Sequence, residues 1–501
     1  MMKIIKTYYL LHPLQCILAV ACFLRLIAAF FAKGYGMHDD HFLVIEVAGS
    51  WSDGFDYNNW LPSNFNTTPQ GHSFFYAGLH YLLFVCLNTF GITSPEVKMF
   101  IVRIIHAIYS LSIVYFGYKI TNKYAGNKTA SQVGWLLAAF WFIPWLSVRN
   151  LVEFQCIPFL MWGMWIYIKK ESPNIKTLIL SGLVAGIAFS IRYQTLFFLA
   201  GFGLALLCLK QFRNAIVWGF SAIFMILFIQ GGIDFFVWGR PCAELFEYVR
   251  YNYVAAGDYL QGGFFKYVWV ILGLLLPPVS VFIFGGFFMR WKKYLLLFLP
   301  SFLFLLFHSL FINKQERFIL TIIPFVILLG MIGWNEFMDK YRKKEWIRKG
   351  IRGSWIFVAV VNVLLLGATC FHYSKKARIE TMRYLSQYGD IEYIITTNSV
   401  PMLPKFYFEH WITQISIDEE NMSNEIKRLQ TAQIEPRLVV VTENKHNQDA
   451  IDSLQVYYPD LMYDTKISPS FLDKLLYKLN HYNRNETLII YRDKKQYPDS
   501  M

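Results

Sequence analysis

The stretch Gly36-Met37-His38-Asp39-Asp40-His41-Phe42, running on to Glu46-Val47-Ala48-Gly49, sets two adjacent carboxylates, two histidines and a third carboxylate behind an apolar run over residues 8–32. That run is long enough to cross a bilayer. A paired carboxylate at the mouth of a membrane span has the chemistry of a general base. The structural alternative is that Asp39 and Asp40 cap a helix starting near His41. His38 and His41 have no second ligand cluster, so no metal centre is expected. A second group, Lys314-Gln315-Glu316-Arg317, combines two cations, an amide and an acid within four positions.

Composition says what must position these groups. The chain has 501 residues, 55% hydrophobic and 18% aromatic, and only 16% are charged, whereas soluble domains run nearer about a quarter. The pattern is that of a polytopic α-helical membrane protein. The net charge of +13 falls in short loops between apolar runs, where lysine and arginine act as topology signals, so nucleic acid is not an expected partner. Six of seven cysteines lie in apolar stretches, Cys242 stands alone and no CxxC pair occurs; neither a disulfide framework nor a zinc site is indicated. Lys3 and Lys6 precede a run too long for a cleaved signal, which reads as a retained first span.

Orienting spans by positive charge predicts about 11 transmembrane helices, with a first external loop over 33–97 that holds the acidic stretch and an interfacial helix at 72–90. Single spans are expected at 98–118, 266–289 and 318–336, among others. This topology brings Asp39, Asp40, Arg103, Arg149, Glu153, Arg192, Asp234, Arg240, Lys314, Glu316 and Arg317 to the external ends. A charge at the bilayer centre costs ~3 kcal/mol or more, so a one-sided crowd of acids and bases reads as a water-accessible cavity, with interfacial snorkelling as the plainer alternative. Arg149 and Glu153, four apart, are expected to form a helical salt bridge. His308 on an apolar face reads as a satisfied core histidine.

From about 376 the chain turns polar and alternates strand-like runs at 391–395, 438–441 and 488–491 with an amphipathic helix from Phe471 to Leu479. This is the pattern of a small α/β domain. The expected division is therefore a membrane domain over 1–375 and a soluble α/β domain over 376–501. The latter has no Gly-rich phosphate loop, metal cluster or nucleophile elbow, and no cofactor is expected.

Three motifs carry a resemblance. Met37-His38-Asp39-Asp40-His41-Phe42 aligns with a His-Pro-Asp-Glu loop, placing Asp39 on the conserved aspartate. His308-Ser309-Leu310-Phe311-Ile312-Asn313-Lys314-Gln315-Glu316-Arg317-Phe318 with Pro324 resembles a late His-Ser-Leu-x-x-His-Lys-Glu-x-Arg-Phe motif, and Asp234-Phe235-Phe236-Val237-Trp238-Gly239 with Tyr251-Asn252-Tyr253 resembles an Asp-x-x-x-Tyr-Gly segment followed by an aromatic-rich stretch with Asn. On these residues the chain resembles the GT-C superfamily of polyprenyl-phosphate-sugar-dependent glycosyltransferases, in particular glycosyltransferase family 22, the α-mannosyltransferases of GPI-anchor and N-glycan assembly. Asp40 stands for the family glutamate, His38 for proline, Asn313 and Gln315 for histidine and glutamate, and Arg192-Tyr193-Gln194 for an Arg-Pro pair. The departures point to a divergent bacterial branch in the inner membrane, with undecaprenyl-type lipid and an extracytoplasmic active site and C-terminal domain.

The resemblance implies inverting transfer of a sugar, mannose in this family, from a polyprenyl-phosphate-linked donor to a glycan or glycolipid acceptor, with membrane lipids as surroundings. Asp39 is then the base, and Asp40 orients the acceptor or raises the basicity of Asp39 as a like charge. Lys314, Arg317, Arg192 and Arg240 are assigned to the donor phosphate, Lys314 and Arg317 gripping it from one helical face. His41, Glu46, Gln194, Asp234, His308, Gln315 and Glu316 are assigned to sugar and acceptor. The competing class, a lipid-linked-sugar transporter or flippase, would show midplane charges and related halves; the sequence shows one-sided charge and no repeat.

Overall fold

A computed structural model describes residues 2–64, 66–341, 344–389, 391–408, 410–480 and 483–497. The chain divides into two compact units. The first comprises residues 1–30, 58–80 and 101–371, and the second 31–57, 81–100 and 372–501.

The first unit is a helical bundle. Five helical stretches among the described residues are long and apolar enough to cross a membrane: Pro13–Phe31, Pro95–Ala139, Phe212–Trp238, Glu316–Tyr341 and Glu345–Cys370. Among the described residues of this unit, shorter apolar helices such as Ile175–Ile191 and Leu295–Leu310 accompany them. In the stretch Pro95–Ala139, Gly126 adopts φ 74°, ψ 175° and divides the helix Leu111–Ala139, beyond the end of the span expected over 98–118. The single span expected over 266–289 is instead two helices, Lys266–Leu274 and Val279–Met289. Pro277 and Pro278 between them have no N–H to continue the ladder.

Helices in this unit meet where a side chain is missing. A Cβ on Gly333 would lie 2.0 Å from Gly286 O, one on Gly286 2.1 Å from Gly330 O, and one on Gly330 2.3 Å from Ile283 O. The helices Val279–Met289 and Ile323–Tyr341 therefore pack backbone to backbone, the close approach by which apolar helices associate without a hydrophobic driving force. Arg25, inside the first span and wholly buried, solves a different problem. Its guanidinium donates to Ser110 Oγ at 3.0 Å, to the carbonyls of Ala21 and Ala138 at 3.2 Å each, and to Leu137 O at 3.1 Å. The last two carbonyls end the helix Leu111–Ala139, so the cation satisfies orphan acceptors at the negative end of a helix dipole.

The second unit is built on a five-stranded sheet: β1 Tyr393–Thr397, β2 Thr413–Ile417, β3 Leu438–Thr442, β4 Leu461–Ile467 and β5 Leu488–Asp493, in the order β2-β1-β3-β5-β4. β1 runs parallel to β2 and β3, while β5 is antiparallel to both β3 and β4. Ile395, Val439 and Ile417 on the strands pack with Ile426, Leu429, Ile451 and Leu454 on the covering helices Met422–Thr431 and Lys445–Tyr457. The expected α/β pattern is present, with β2 and β4 as strands the sequence pattern did not single out.

This unit also holds the acidic stretch. Ser374 N donates to Lys33 O at 3.1 Å, Trp411 Nε1 to Asp53 Oδ2 at 3.0 Å, and Phe406 packs on Phe84 at 5.4 Å between ring centroids. Residues 31–57 and 81–100 are thus pinned by segments more than three hundred positions away in the chain.

Candidate functional site

The expected helix at the acidic stretch starts earlier than His41, spanning His38–Phe42 with Met37 as its N-cap. Asp40 is the third residue of its first turn, and its two oxygens accept from Gly36 N and Met37 N, both at 3.1 Å. A buried carboxylate so engaged is a capping acid at a helix N-terminus. The expected contact of Asp40 with an acceptor is corrected on this ground. Asp39, one position earlier, is half-buried and rides on the same turn.

His41 and Glu46, expected at sugar and acceptor, are wholly buried and lie against each other. His41 Nε2 lies 3.2 Å from Glu46 Oε1, which also accepts from Phe406 N at 3.0 Å. The imidazole is stacked against Tyr35 on one side at 4.7 Å and Tyr407 at 5.6 Å. Together they seat the helix bearing Asp39 on the polypeptide around Phe406.

In the first unit, three breaks between helices converge. Glu153 belongs to the short helix Val152–Gln155, Arg192 ends the helix Ile175–Ile191, and Arg317 opens the 3-10 turns Glu316–Ile322 that lead into Ile323–Tyr341. Arg192 Nη2 lies 3.8 Å and Arg317 Nε 3.7 Å from one oxygen, Glu153 Oε1. Each guanidinium is steadied by a glutamine two positions away: Arg192 Nε donates to Gln194 Oε1 at 2.6 Å, and Arg317 Nε to Gln315 Oε1 at 2.9 Å. Thr321 ties the breaks together, accepting from Arg192 Nη1 at 2.6 Å and donating to Glu153 O at 2.9 Å. Phe304 and Phe318 flank the Arg192 guanidinium, each 5.6 Å away.

The balance of this group decides its chemistry. Two guanidiniums meet one carboxylate oxygen in a buried setting, where a cation is costly unless an anion meets it. Among the described residues, Arg192 Nη2 has no hydrogen-bond acceptor. Two forked guanidiniums fixed at one point form a donor set suited to an oxyanion such as a phosphate or carboxylate. The expected Arg149–Glu153 helical pair gives way to this arrangement, because Arg149 precedes the helix that begins at Val152 and lies over the Trp145 ring at 4.9 Å.

Lys314 does not share a helical face with Arg317; it stands before the turns Glu316–Ile322. Its ammonium donates to the carbonyls of Ser309 at 2.6 Å, Phe311 at 2.7 Å and His308 at 3.2 Å. All three N–H groups are spent closing the C-terminal end of Leu295–Leu310, which corrects its assignment to the donor phosphate. Glu316 pairs with Lys266 at 2.9 Å. His308 is buried with its ring 4.1 Å from that of Phe304 and Nδ1 2.8 Å from Phe304 O, as a core histidine.

Asp234 and Arg240 stand apart from the arginine pair. Asp234 is buried, its oxygens accepting from Gln230 Nε2 at 2.9 Å and Glu244 N at 3.0 Å, so its expected sugar contact is replaced by a structural one. Glu244 in turn accepts from Gly71 N at 2.6 Å, His72 N at 3.0 Å and Trp238 Nε1 at 2.8 Å. This network fastens the turn-rich segment around Gly71 to the helices beside it. Arg240 is exposed, and the charge it meets is Glu247.

Thr321 and Glu244 were not among the residues expected to matter. Thr321 had a signal, a hydroxyl four positions past Arg317; Glu244 had none, because its partners are backbone groups of a distant loop.

The architecture is that of a polytopic helical membrane protein with a GT-C-type fold and a small sheet domain. The family model described as the Alg9-like mannosyltransferase family matches residues 16–402, and the chain belongs to that family; it is a glycosyltransferase. Among solved structures, it is similar to ArnT from Cupriavidus metallidurans bound to undecaprenyl phosphate, with 12% identity, TM-score 0.63, and 95% of this chain and 97% of that one covered. The oligosaccharyltransferase of Archaeoglobus fulgidus matches with 12% identity and TM-score 0.53 over 92% of this chain and 74% of that one. The arabinofuranosyltransferase AftD from Mycobacteria matches with 10% identity and TM-score 0.52 over 95% of this chain and 40% of that one. These likenesses establish the fold. No curated protein sequence matches.

Proposed function

We propose that the protein transfers a sugar, mannose, from a polyprenyl-phosphate-linked donor of undecaprenyl type to a glycan or glycolipid acceptor on the outer side of a bacterial inner membrane. The acceptor hydroxyl oxygen forms a bond to the anomeric carbon as the bond from that carbon to the phosphate oxygen breaks. The bonding pair leaves with the polyprenyl phosphate, the anomeric configuration inverts, and the hydroxyl proton passes to the Asp39 carboxylate. Arg192 and Arg317 meet the negative charge that builds on the departing phosphate, electrostatic stabilisation held ready before reaction. Asp40, His41 and Glu46 hold Asp39 in place, and Gln194 and Gln315 orient the guanidiniums.

The observation that carries this reading is the buried pair Arg192 and Arg317 sharing the single oxygen Glu153 Oε1, in a chain of the Alg9-like family. The lipid phosphate bound to the similar ArnT structure supports the donor class. The test is consumption of labelled polyprenyl-phosphate-mannose by the purified protein, with and without acceptor glycolipids, beside Asp39→Asn and Arg317→Ala. Donor consumption by wild type, donor binding without turnover in Asp39→Asn, and weakened donor binding in Arg317→Ala are expected. A wild-type protein that neither binds nor consumes any polyprenyl-phosphate sugar overturns the reading.

A further inference from the structure

The α/β fold of the second unit has a crevice of its own. After β1 the chain crosses to β2 on one side; after β2 it returns through the helix Met422–Thr431 to β3 on the other side of β1. The connections leaving β1 and β3 therefore diverge, and the carboxyl ends of these two parallel strands frame a topological switch point, the place where open α/β sheets bind ligands. A cavity of about 530 Å³ lies there, within the ~300–1,000 Å³ of small-molecule sites. Asn398 and Ser399 line it just beyond β1, and Thr442, Glu443 and Asn444 at the end of β3. The remaining wall comes from the helix Phe471–Leu479 and the segment leading into β5.

We infer that this crevice is a second glycan site, taking an acidic carbohydrate, one that combines sugar hydroxyls with a carboxylate or phosphate. The inference goes beyond the transfer reaction and does not rest on it. The floor is polar and already fixed. Ser399 Oγ lies 3.0 Å from Thr397 Oγ1 and accepts from Asn447 Nδ2 at 2.9 Å, while the same amide reaches Thr442 Oγ1 at 2.6 Å. The Asn444 side chain caps Lys445–Tyr457 by accepting from Asn447 N at 2.7 Å. Amides and hydroxyls held in one geometry lose little freedom when a ligand's hydroxyls dock. Tyr477 adds an aromatic ring to the wall, and such a ring suits the apolar C–H face of a sugar.

The rim supplies the charge preference. Glu443 is paired with Lys466, and Glu486 keeps one buried oxygen with no hydrogen-bond partner among the described residues. Lys474, Lys478 and Arg484 also line the wall, three cations against these two carboxylates. A nucleotide fits less well, because β1 is followed by Asn398-Ser399-Val400-Pro401, with no glycine to let a pyrophosphate approach the backbone.

The test uses the full chain in detergent micelles, fluorescently labelled, on an array of neutral, uronate-containing and phosphate-bearing oligosaccharides of matched length. Wild type is expected to hold acidic members at least ten times more tightly than neutral ones. The exposed double variant Lys474→Glu/Lys478→Glu is expected to lose that preference, and Tyr477→Ala to weaken binding to all members. Absence of binding across the array, or equal binding by wild type and the double variant, overturns the inference. Donor consumption by wild type is read separately: a protein that binds acidic glycans and consumes no polyprenyl-phosphate sugar overturns the proposed transfer and leaves this site standing.

Discussion

Arg192 and Arg317, one hundred and twenty-five positions apart, draw on the same carboxylate oxygen of Glu153, at 3.8 and 3.7 Å. A charge-assisted hydrogen bond to an incoming phosphate contributes ~1.5–3 kcal/mol. Arg317→Ala and Arg192→Ala are each expected to weaken donor binding about 10- to 100-fold, measured by equilibrium binding of a polyprenyl-phosphate sugar. Arg317→Lys is expected to recover little, since an ammonium lacks the planar fork.

Asp39 has a different expected signature. If its carboxylate takes the acceptor proton, Asp39→Asn lowers single-turnover transfer by about 10²- to 10⁴-fold and leaves the donor Kd unchanged. Loss of donor affinity with unchanged chemistry in this variant would place Asp39 in binding instead.

Asp40 acts through the helix that carries Asp39. Its carboxylate holds Gly36 N and Met37 N, so Asp40→Ala costs about 1 kcal/mol of stability, seen as a lowered Tm, together with slower turnover from a loosened Asp39. Asp40→Asn keeps one acceptor oxygen and is expected to fall between. An unchanged Tm and turnover in Asp40→Ala would remove the capping role.

Much of this was legible in the chain, for reasons that differ residue by residue. Membrane class, the α/β tail and the helix Phe471–Leu479 follow from composition and hydrophobic period, which act locally. Arg192 and Arg317 were legible as cations interrupting apolar sequence at span ends. Their shared partner was not, because Arg149 and Glu153 sit four apart and that spacing implies a helical pair; the helix starting only at Val152 removes it. Lys314 misled for a related reason: spacing from Arg317 speaks of one helical face, whereas the end of Leu295–Leu310 offers three orphan carbonyls nearer at hand. His41 and Glu46 are buried by a segment around Phe406, and no local pattern reports a neighbour so far along the chain.

The glycine contacts between Val279–Met289 and Ile323–Tyr341 admit a direct check. A methyl at Gly330 or Gly333 meets backbone oxygen at 2.3 or 2.0 Å, and backbone cannot turn aside as a side chain does. Gly333→Ala is expected to cost about 1–3 kcal/mol by overpacking, read as reduced thermal stability in micelles, whereas Gly350→Ala, with nothing within 4 Å of the added carbon, leaves stability unchanged or slightly raised.

Lys375 is expected to give the chain a pH dependence whose sign follows from its burial. Its ammonium donates to Asn483 O at 2.6 Å and Asn485 Oδ1 at 2.9 Å. Burial, followed by the nearby charge of Arg378, pushes it down from 10.5 to about 8. Between these values the unfolded chain holds a proton that the folded chain has released, so stability rises with pH. The contribution is complete above about 10.5 and is lost as the pH falls through about 8. Thermal unfolding of wild type and Lys375→Met across this window is expected to show the difference between them growing in wild type's favour as pH rises. A difference that is flat with pH, or that shrinks, would mean that Lys375 stays charged in the folded protein.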